Sequence, residues 1–216
     1  MVVLITTTTL ATFGIDVTSR PSLRLVVNTI MLQGVTFGGL ALLYLKVRDL
    51  DYEFVQVGVP DSRDVIVTVV GTVTLLSLLF AASTVISLLG IESAQNQIME
   101  TGQKNPEVFL LLVPLSFLIV GPGEELLYRG IVQGTLQETL NPARAVVLAS
   151  ALFASIHLFS LSGEGKFIYI GITFLLALVL GAAYVYTGNL AVPAVIHGAY
   201  NAVQFGGAYL AATGGF

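Results

Sequence analysis

The chain contains no cysteine. That excludes disulfides, zinc–thiolate centres and cysteine nucleophiles, and leaves the redox compartment unread. Charge is also scarce: 10% of the 216 residues are Asp, Glu, Lys or Arg, against 55% apolar residues and a mean hydropathy of +0.89. A soluble domain carries roughly 25% charged residues to cover its surface, so most of this surface does not face water. The net charge is −4 and no basic patch exists, which argues against nucleic acid as a partner. No Lys or Arg precedes the apolar stretch 1–15, so the basic start of a secretory signal is missing. At that length the stretch reads as a short first helix or an interfacial segment.

What is present is a series of long apolar runs. A span needs ~20 apolar residues, and runs of that order cover 25–45, 65–91, 108–140, 145–161, 167–186 and 190–211. They are continuously apolar rather than alternating, so helices, not barrel strands, are expected. The fold class read from this is all-α: a polytopic transmembrane helix bundle of about six to seven membrane helices, multi-pass in a membrane such as the cell membrane, with lipid as its surroundings. One helix is expected to break at Gly121-Pro122-Gly123, and Asn141-Pro142 should form the tip of a helical hairpin. Gln133, Gln137, Glu138, Asn141 and Arg144 make that tip polar enough to protrude. Thr187-Gly188-Asn189 reads as a tight turn, and the tail ends in Gly214-Gly215-Phe216. Gly34 with Gly38, and Gly130 with Gly134, fit close helix contacts. Basic residues divide almost evenly, with Lys46, Arg48, Arg63 and Arg144 on one side and Arg20, Arg24, Lys104 and Lys166 on the other, so the positive-inside rule only slightly favours a cytoplasmic 46–64 loop. Residues 1–107 carry no motif; 108–216 form a candidate catalytic core within one integrated membrane domain.

Charged groups at bilayer depth cost at least a few kcal/mol each and are usually kept for a function. Here they cluster in three places: Glu124, Glu125 and Arg129; Phe153 and His157; His197 and Asn201. Both histidines of the chain lie inside charge-free spans. Residues four apart share a helix face, so Glu125 can pair with Arg129, and His197 and Asn201 can address one point. Glu124 and Glu125 are ~100° apart around the axis, so one is expected to face the site and the other to be neutralised by Arg129. Glu124 is assigned to the site. Counted from the hairpin tip, Glu124 and His157 fall at nearly the same depth.

The order EExxxR, FxxxH, HxxxN on successive membrane helices resembles the CAAX prenyl endopeptidase and bacteriocin-processing (CPBP) family of intramembrane proteases. The match runs through Glu124-Glu125…Arg129, Phe153…His157 and His197…Asn201, over about residues 108–205. The resemblance implies a membrane-embedded endopeptidase acting on a peptide or on a membrane-anchored or prenylated protein. Eight helices are usual in that family, more than the six to seven expected here.

Peptide hydrolysis needs an activated water, a stabiliser for the oxyanion and a proton for the leaving amine. Glu124 suits the general base and His157 the orientation of water, while His197 and Asn201 can donate to the oxyanion. Glu125, Arg129 and Phe153 read as structural support. The same Glu124, His157 and His197 could instead hold a divalent metal, with zinc the expected ion; without an HExxH spacing the sequence leaves both schemes open. Ser155 points away from His157, which disfavours serine catalysis. A non-catalytic scaffold of the same fold and a proton-coupled transporter are the alternatives. A transporter predicts matching broken helices in two halves, and only one candidate break is present.

Overall fold

The computed structural model describes residues 2–14, 16–17 and 19–215. Met1, Ile15 and Phe216, which bound the N-terminal segment and the glycine tail read above, lie outside them. The first helix, α1 (Val2–Thr12), has 11 residues and rises only about 16 Å, short of the ~30 Å hydrocarbon layer. Among the described residues, five helices are long and apolar enough to cross a membrane: α2 (Pro21–Val47), α3 (Ser62–Leu89), α5 (Glu107–Gln137), α6 (Pro142–Ser160) and α7 (Lys166–Thr187). Between α3 and α5 lies the short amphipathic α4 (Gln97–Lys104), and α8 (Ala191–Ala212) closes the bundle. The chain is an all-α, polytopic membrane protein.

The helix starts follow from local chemistry. Asp61 and Asp64 form a capping box at the head of α3, and the Asn141 side chain accepts from Arg144 N at 3.0 Å ahead of Pro142, where a proline's missing N–H costs nothing. Gly188 ends α7 at φ 62°, the left-handed geometry that glycine adopts without strain. The turn behind it is locked by Asn189. Its Nδ2 donates to Asp64 Oδ2 at 2.8 Å and its Oδ1 accepts from Gly58 N at 3.1 Å, tying the 46–64 loop to the α7–α8 turn.

α8 carries His197, Asn201 and Gln204, and it is not among the five helices long and apolar enough to cross a membrane. It is nonetheless deeply packed. Ile196 is fully buried with Leu75, Val192 and Leu180 around it, and α3 comes so close at Gly71 that a β-carbon there would stand 2.5 Å from Ile196 Cδ1.

The expected break at Gly121-Pro122-Gly123 does not occur; α5 runs through it as one helix. Instead the helix widens into π-helical turns at Ser116–Val120 and Leu126–Gln133. Gly121 N–H donates to Ser116 O, five residues back, so the turn before Pro122 already has the wider spacing that a proline ring needs. The two glycines serve contact rather than interruption. A β-carbon on Gly121 would meet Ala194 O of α8 at 2.5 Å, and one on Gly123 would collide with the Gln33 carbonyl of α2. α5 is therefore clamped between α2 and α8 at the level of Glu124.

Two other expectations change. Gly130 and Gly134 receive Val55 and Phe54 from the turn Tyr52–Val55, not another helix; Gly34 meets Ile119, while Gly38 faces open space. Gln133 is fully buried, its Nε2 donating to Gly181 O of α7 at 3.2 Å, so the polar hairpin tip starts beyond it. Gln137 and Glu138 lie past that point, and Glu138 pairs with exposed Arg48 at 3.2 Å.

After α3 the strands β1 (Gln95–Asn96) and β2 (Leu161–Ser162) pair antiparallel, Gln95 opposite Ser162. This tie, joined by a Ser162–Glu100 hydrogen bond, holds α4 against the end of α6.

Candidate active site

α5 presents Glu124, Glu125 and Arg129 to the interior. Glu125 and Arg129 are fully buried and Glu124 is 5% exposed. Arg129 Nε lies 2.9 Å from Glu125 Oε2, an ion pair by distance, although its N–H is not aligned as a hydrogen bond. The guanidinium also lies 5.1 Å from the Phe153 ring centroid, a cation–π contact in a dry setting. Removing either partner would leave an unpaired buried charge.

Glu125 does more than neutralise Arg129. Its other oxygen, Oε1, accepts from His197 Nδ1 at 2.9 Å. Glu124 Oε2 stands 3.8 Å from His197 Nε2, beyond hydrogen-bond length. The expectation that only one of the two glutamates faces the site is thus corrected. An imidazole has two nitrogens on opposite edges, and each carboxylate addresses a different one. Fixing Nδ1 orients the ring so that Nε2 points at Glu124.

Glu124 is held from a helix without motifs. Gln33 Nε2 on α2 donates to Glu124 Oε1 at 2.8 Å, leaving Oε2 turned toward His197. Gln33 can reach because Gly123 lets the two backbones touch. The sequence reading passed over Gln33. A signal existed, since Asn28 and Gln33 are amides inside an otherwise apolar span, the same kind of exception that picked out the histidines.

His157 begins the tight last turn of α6, and its Nδ1 donates to Phe153 O at 2.8 Å, which leaves Nε2 as the free, accepting nitrogen. The Phe153 ring lies 4.8 Å from the His157 ring, 5.9 Å from that of His197 and 5.1 Å from Tyr128, centroid to centroid. Phe153 is the packing hub of the site. Asn201 sits one turn beyond His197 and makes no hydrogen bond among the described residues.

Glu124, His157, His197 and Asn201 line one cavity of about 700 Å³, with Gln33, Asn28 and Arg24 along α2. A second cavity of about 380 Å³ shares His157, His197 and Asn201 and continues between α3 and α7 past Leu75, Leu79, Ile172, Leu176 and Leu180. Both cavities mix apolar and polar linings.

A zinc ion would need three of these side chains to aim at one point, about 2.0–2.2 Å from each donor. Among the described residues, no group of three His, Asp or Glu side chains is so arranged. Phe153 stands against both imidazoles. The expected zinc set of Glu124, His157 and His197 therefore does not fit a metal as it stands.

Residues 106–203, which hold every motif residue above, match the family model for type II CAAX prenyl endopeptidases, Rce1-like. That segment is similar to this family, and the similarity supports a CAAX-protease assignment. No curated protein and no solved structure matches the chain. At family level, the match supports a membrane-embedded endopeptidase of the CAAX type. The match begins after α4, so α2 with Gln33 lies outside it.

Proposed function

We propose that the chain hydrolyses a peptide bond in a membrane-associated or prenylated CAAX-type protein with a water activated by Glu124. The observation that carries the reading is the setting of that carboxylate: one oxygen held by Gln33 at 2.8 Å, the other free beside His197 in a 700 Å³ cavity. A fixed carboxylate with one free oxygen is what a general base requires.

In this scheme a water lies between Glu124 Oε2 and His157 Nε2. Glu124 takes its proton as the water oxygen adds to the scissile carbonyl carbon. The carbonyl oxygen becomes an oxyanion and accepts hydrogen bonds from His197 Nε2–H and Asn201 Nδ2. Arg129 balances Glu125, and a protonated His197 balances Glu124, so the buried cluster is neutral as a whole. Collapse breaks the C–N bond, and Glu124 passes its proton to the departing nitrogen, giving a new carboxyl end and a free amine. No step is routed through a metal. The leucines and isoleucines on one wall of the second cavity, Leu75, Leu79, Ile172, Leu176 and Leu180, support an apolar substituent on the substrate next to the bond that is cut.

The test is cleavage of a labelled, farnesylated CAAX peptide by purified protein in detergent, read by mass spectrometry. Glu124→Gln should retain the fold and lose cleavage. Full turnover by that variant would overturn the assignment.

A further inference from the structure

The proposed chemistry uses one end of the large cavity. The other end leads along α2 to Arg24, the one Arg or Lys among the described residues that line it. Arg24 is exposed at the rim, and its guanidinium has no ion pair or hydrogen bond among the described residues. Between Arg24 and Gln33 stands Asn28. Its Oδ1 is buried and has no partner among the described residues, and Gln33 Oε1 is in the same condition while Gln33 Nε2 is taken by Glu124. A buried acceptor without a donor is costly, about 1–3 kcal/mol, so two of them along one wall point to a ligand that brings N–H groups.

We propose that Arg24, Asn28 and Gln33 bind the C-terminal peptide released by cleavage: the two amide oxygens accept its backbone N–H groups, and Arg24 binds its terminal carboxylate. The assignment rests on the hydrolase reading above. Length supports it. Arg24 and Gln33 are nine residues apart, roughly 13 Å along a helix at 1.5 Å per residue. An extended peptide covers about 3.3–3.6 Å per residue, so the stripe spans three to four residues from the bond beside Glu124 to the guanidinium. A CAAX end has three residues past its cysteine. Chemistry agrees as well, because Arg pairs with a carboxylate through two parallel hydrogen bonds. α2 would then act as a ruler, admitting chains that end at the right distance and rejecting those that continue.

The experiment compares two farnesylated peptides, identical except that one ends in a free carboxylate and the other in an amide. Both are given to the full chain and to Arg24→Ala, Arg24→Lys and Asn28→Ala in detergent and in vesicles with and without anionic lipid. Wild type should cleave the acid with a kcat/KM at least tenfold above that for the amide. Arg24→Ala should lose that factor on the acid alone and treat the two peptides alike. Arg24→Lys should recover part of it, and Asn28→Ala should lose several-fold on both. Equal cleavage of acid and amide by wild type, or equal loss on both in Arg24→Ala, would overturn the assignment. So would a loss that tracks anionic lipid rather than the peptide end, which would make Arg24 a headgroup contact. Binding measured by anisotropy separates this failure from failure of the hydrolase reading. Tighter binding of the acid without cleavage sinks only the hydrolase, and cleavage without acid preference sinks only the ruler. Neither binding nor cleavage sinks both.

Discussion

Glu125 Oε1 accepts from His197 Nδ1 at 2.9 Å, and the same carboxylate's other oxygen meets Arg129 Nε at 2.9 Å. One fully buried side chain thus joins the structural ion pair of α5 to the reacting face of α8. The ring that must face Glu124 is set by a group that also keeps Arg129 neutralised.

That double duty gives Glu125 a distinct mutational signature. Glu125→Ala leaves Arg129 buried without its partner and frees His197 to rotate. The loss of a buried partner costs about 3–5 kcal/mol, so the variant should melt well below wild type in detergent. Glu125→Gln keeps the shape and a hydrogen bond to His197 but not the charge; it should be intermediate in melting and strongly impaired in turnover. A Glu125→Ala protein with wild-type melting and activity would contradict the linkage.

Glu124 should behave in the opposite way. Glu124→Gln preserves the volume and the acceptor for Gln33 Nε2, so the melting temperature should stay close to wild type. Among the described residues it removes the one carboxylate lining the cavity, so single-turnover cleavage should fall by at least about a thousandfold, within the roughly 10²–10⁴-fold a general acid–base group contributes. The two neighbouring glutamates are told apart by which assay each one fails.

Much of this arrangement was legible in the sequence, for a physical reason. Ionisable side chains in hydrocarbon are so costly that Glu124, Glu125, Arg129, His157 and His197 stand out against the apolar runs, and helical spacing pairs Glu125 with Arg129. Five of the six spans and the Thr187–Asn189 turn follow from the same patterning; the run 190–211 does form α8, but its polar residues keep it out of the helices apolar enough to cross a membrane. The break at Gly121-Pro122-Gly123 was misread because punctuation by glycine and proline is ambiguous: the same residues stop a helix in water and allow close crossing in a bundle. Gln33 was missed because an uncharged amide is cheaper to bury than a charge. Its partnership with Glu124 also depends on how α2 crosses α5, which no local pattern encodes.

That crossing yields a prediction of its own. A β-carbon on Gly123 would collide with the Gln33 backbone carbonyl, and backbone cannot swing aside as a side-chain tip can. Gly123→Ala should push α2 from α5, pull Gln33 from Glu124, and lower both activity and melting temperature. Gly39→Ala on the same α2 helix, where nothing lies within 4 Å of the added carbon, should be neutral in both assays.

Gln33 itself should matter to rate more than to fold. Gln33→Leu fills similar space but cannot donate to Glu124 Oε1, so the carboxylate loses its fixed orientation. A fall of roughly ten- to a hundredfold in kcat is expected, the scale associated with small misplacement of a reacting group, with melting little changed. Gln33→Glu should be worse, since it sets a second carboxylate against Glu124. Wild-type kcat in Gln33→Leu would mean that the 2.8 Å contact positions nothing.

The last prediction concerns metal. His197 Nδ1 is taken by Glu125 and His157 Nδ1 by the Phe153 carbonyl, arrangements that elsewhere orient metal-bound histidines through the other nitrogen. Orientation alone therefore does not separate a zinc site from a glutamate–water site. Convergence does, and among the described residues no three of these donors converge. Phe153 packs against both imidazoles, and Glu124 is drawn toward α2 by Gln33. Cleavage should accordingly survive exhaustive chelation, in protein shown by elemental analysis to carry less than about one zinc per ten chains. Added zinc should inhibit, by bringing Glu124 and His197 onto the ion and away from water. Loss of activity on chelation with recovery on zinc, absent in His157→Ala, would restore the metal scheme and require Phe153 and His157 to rearrange around the ion.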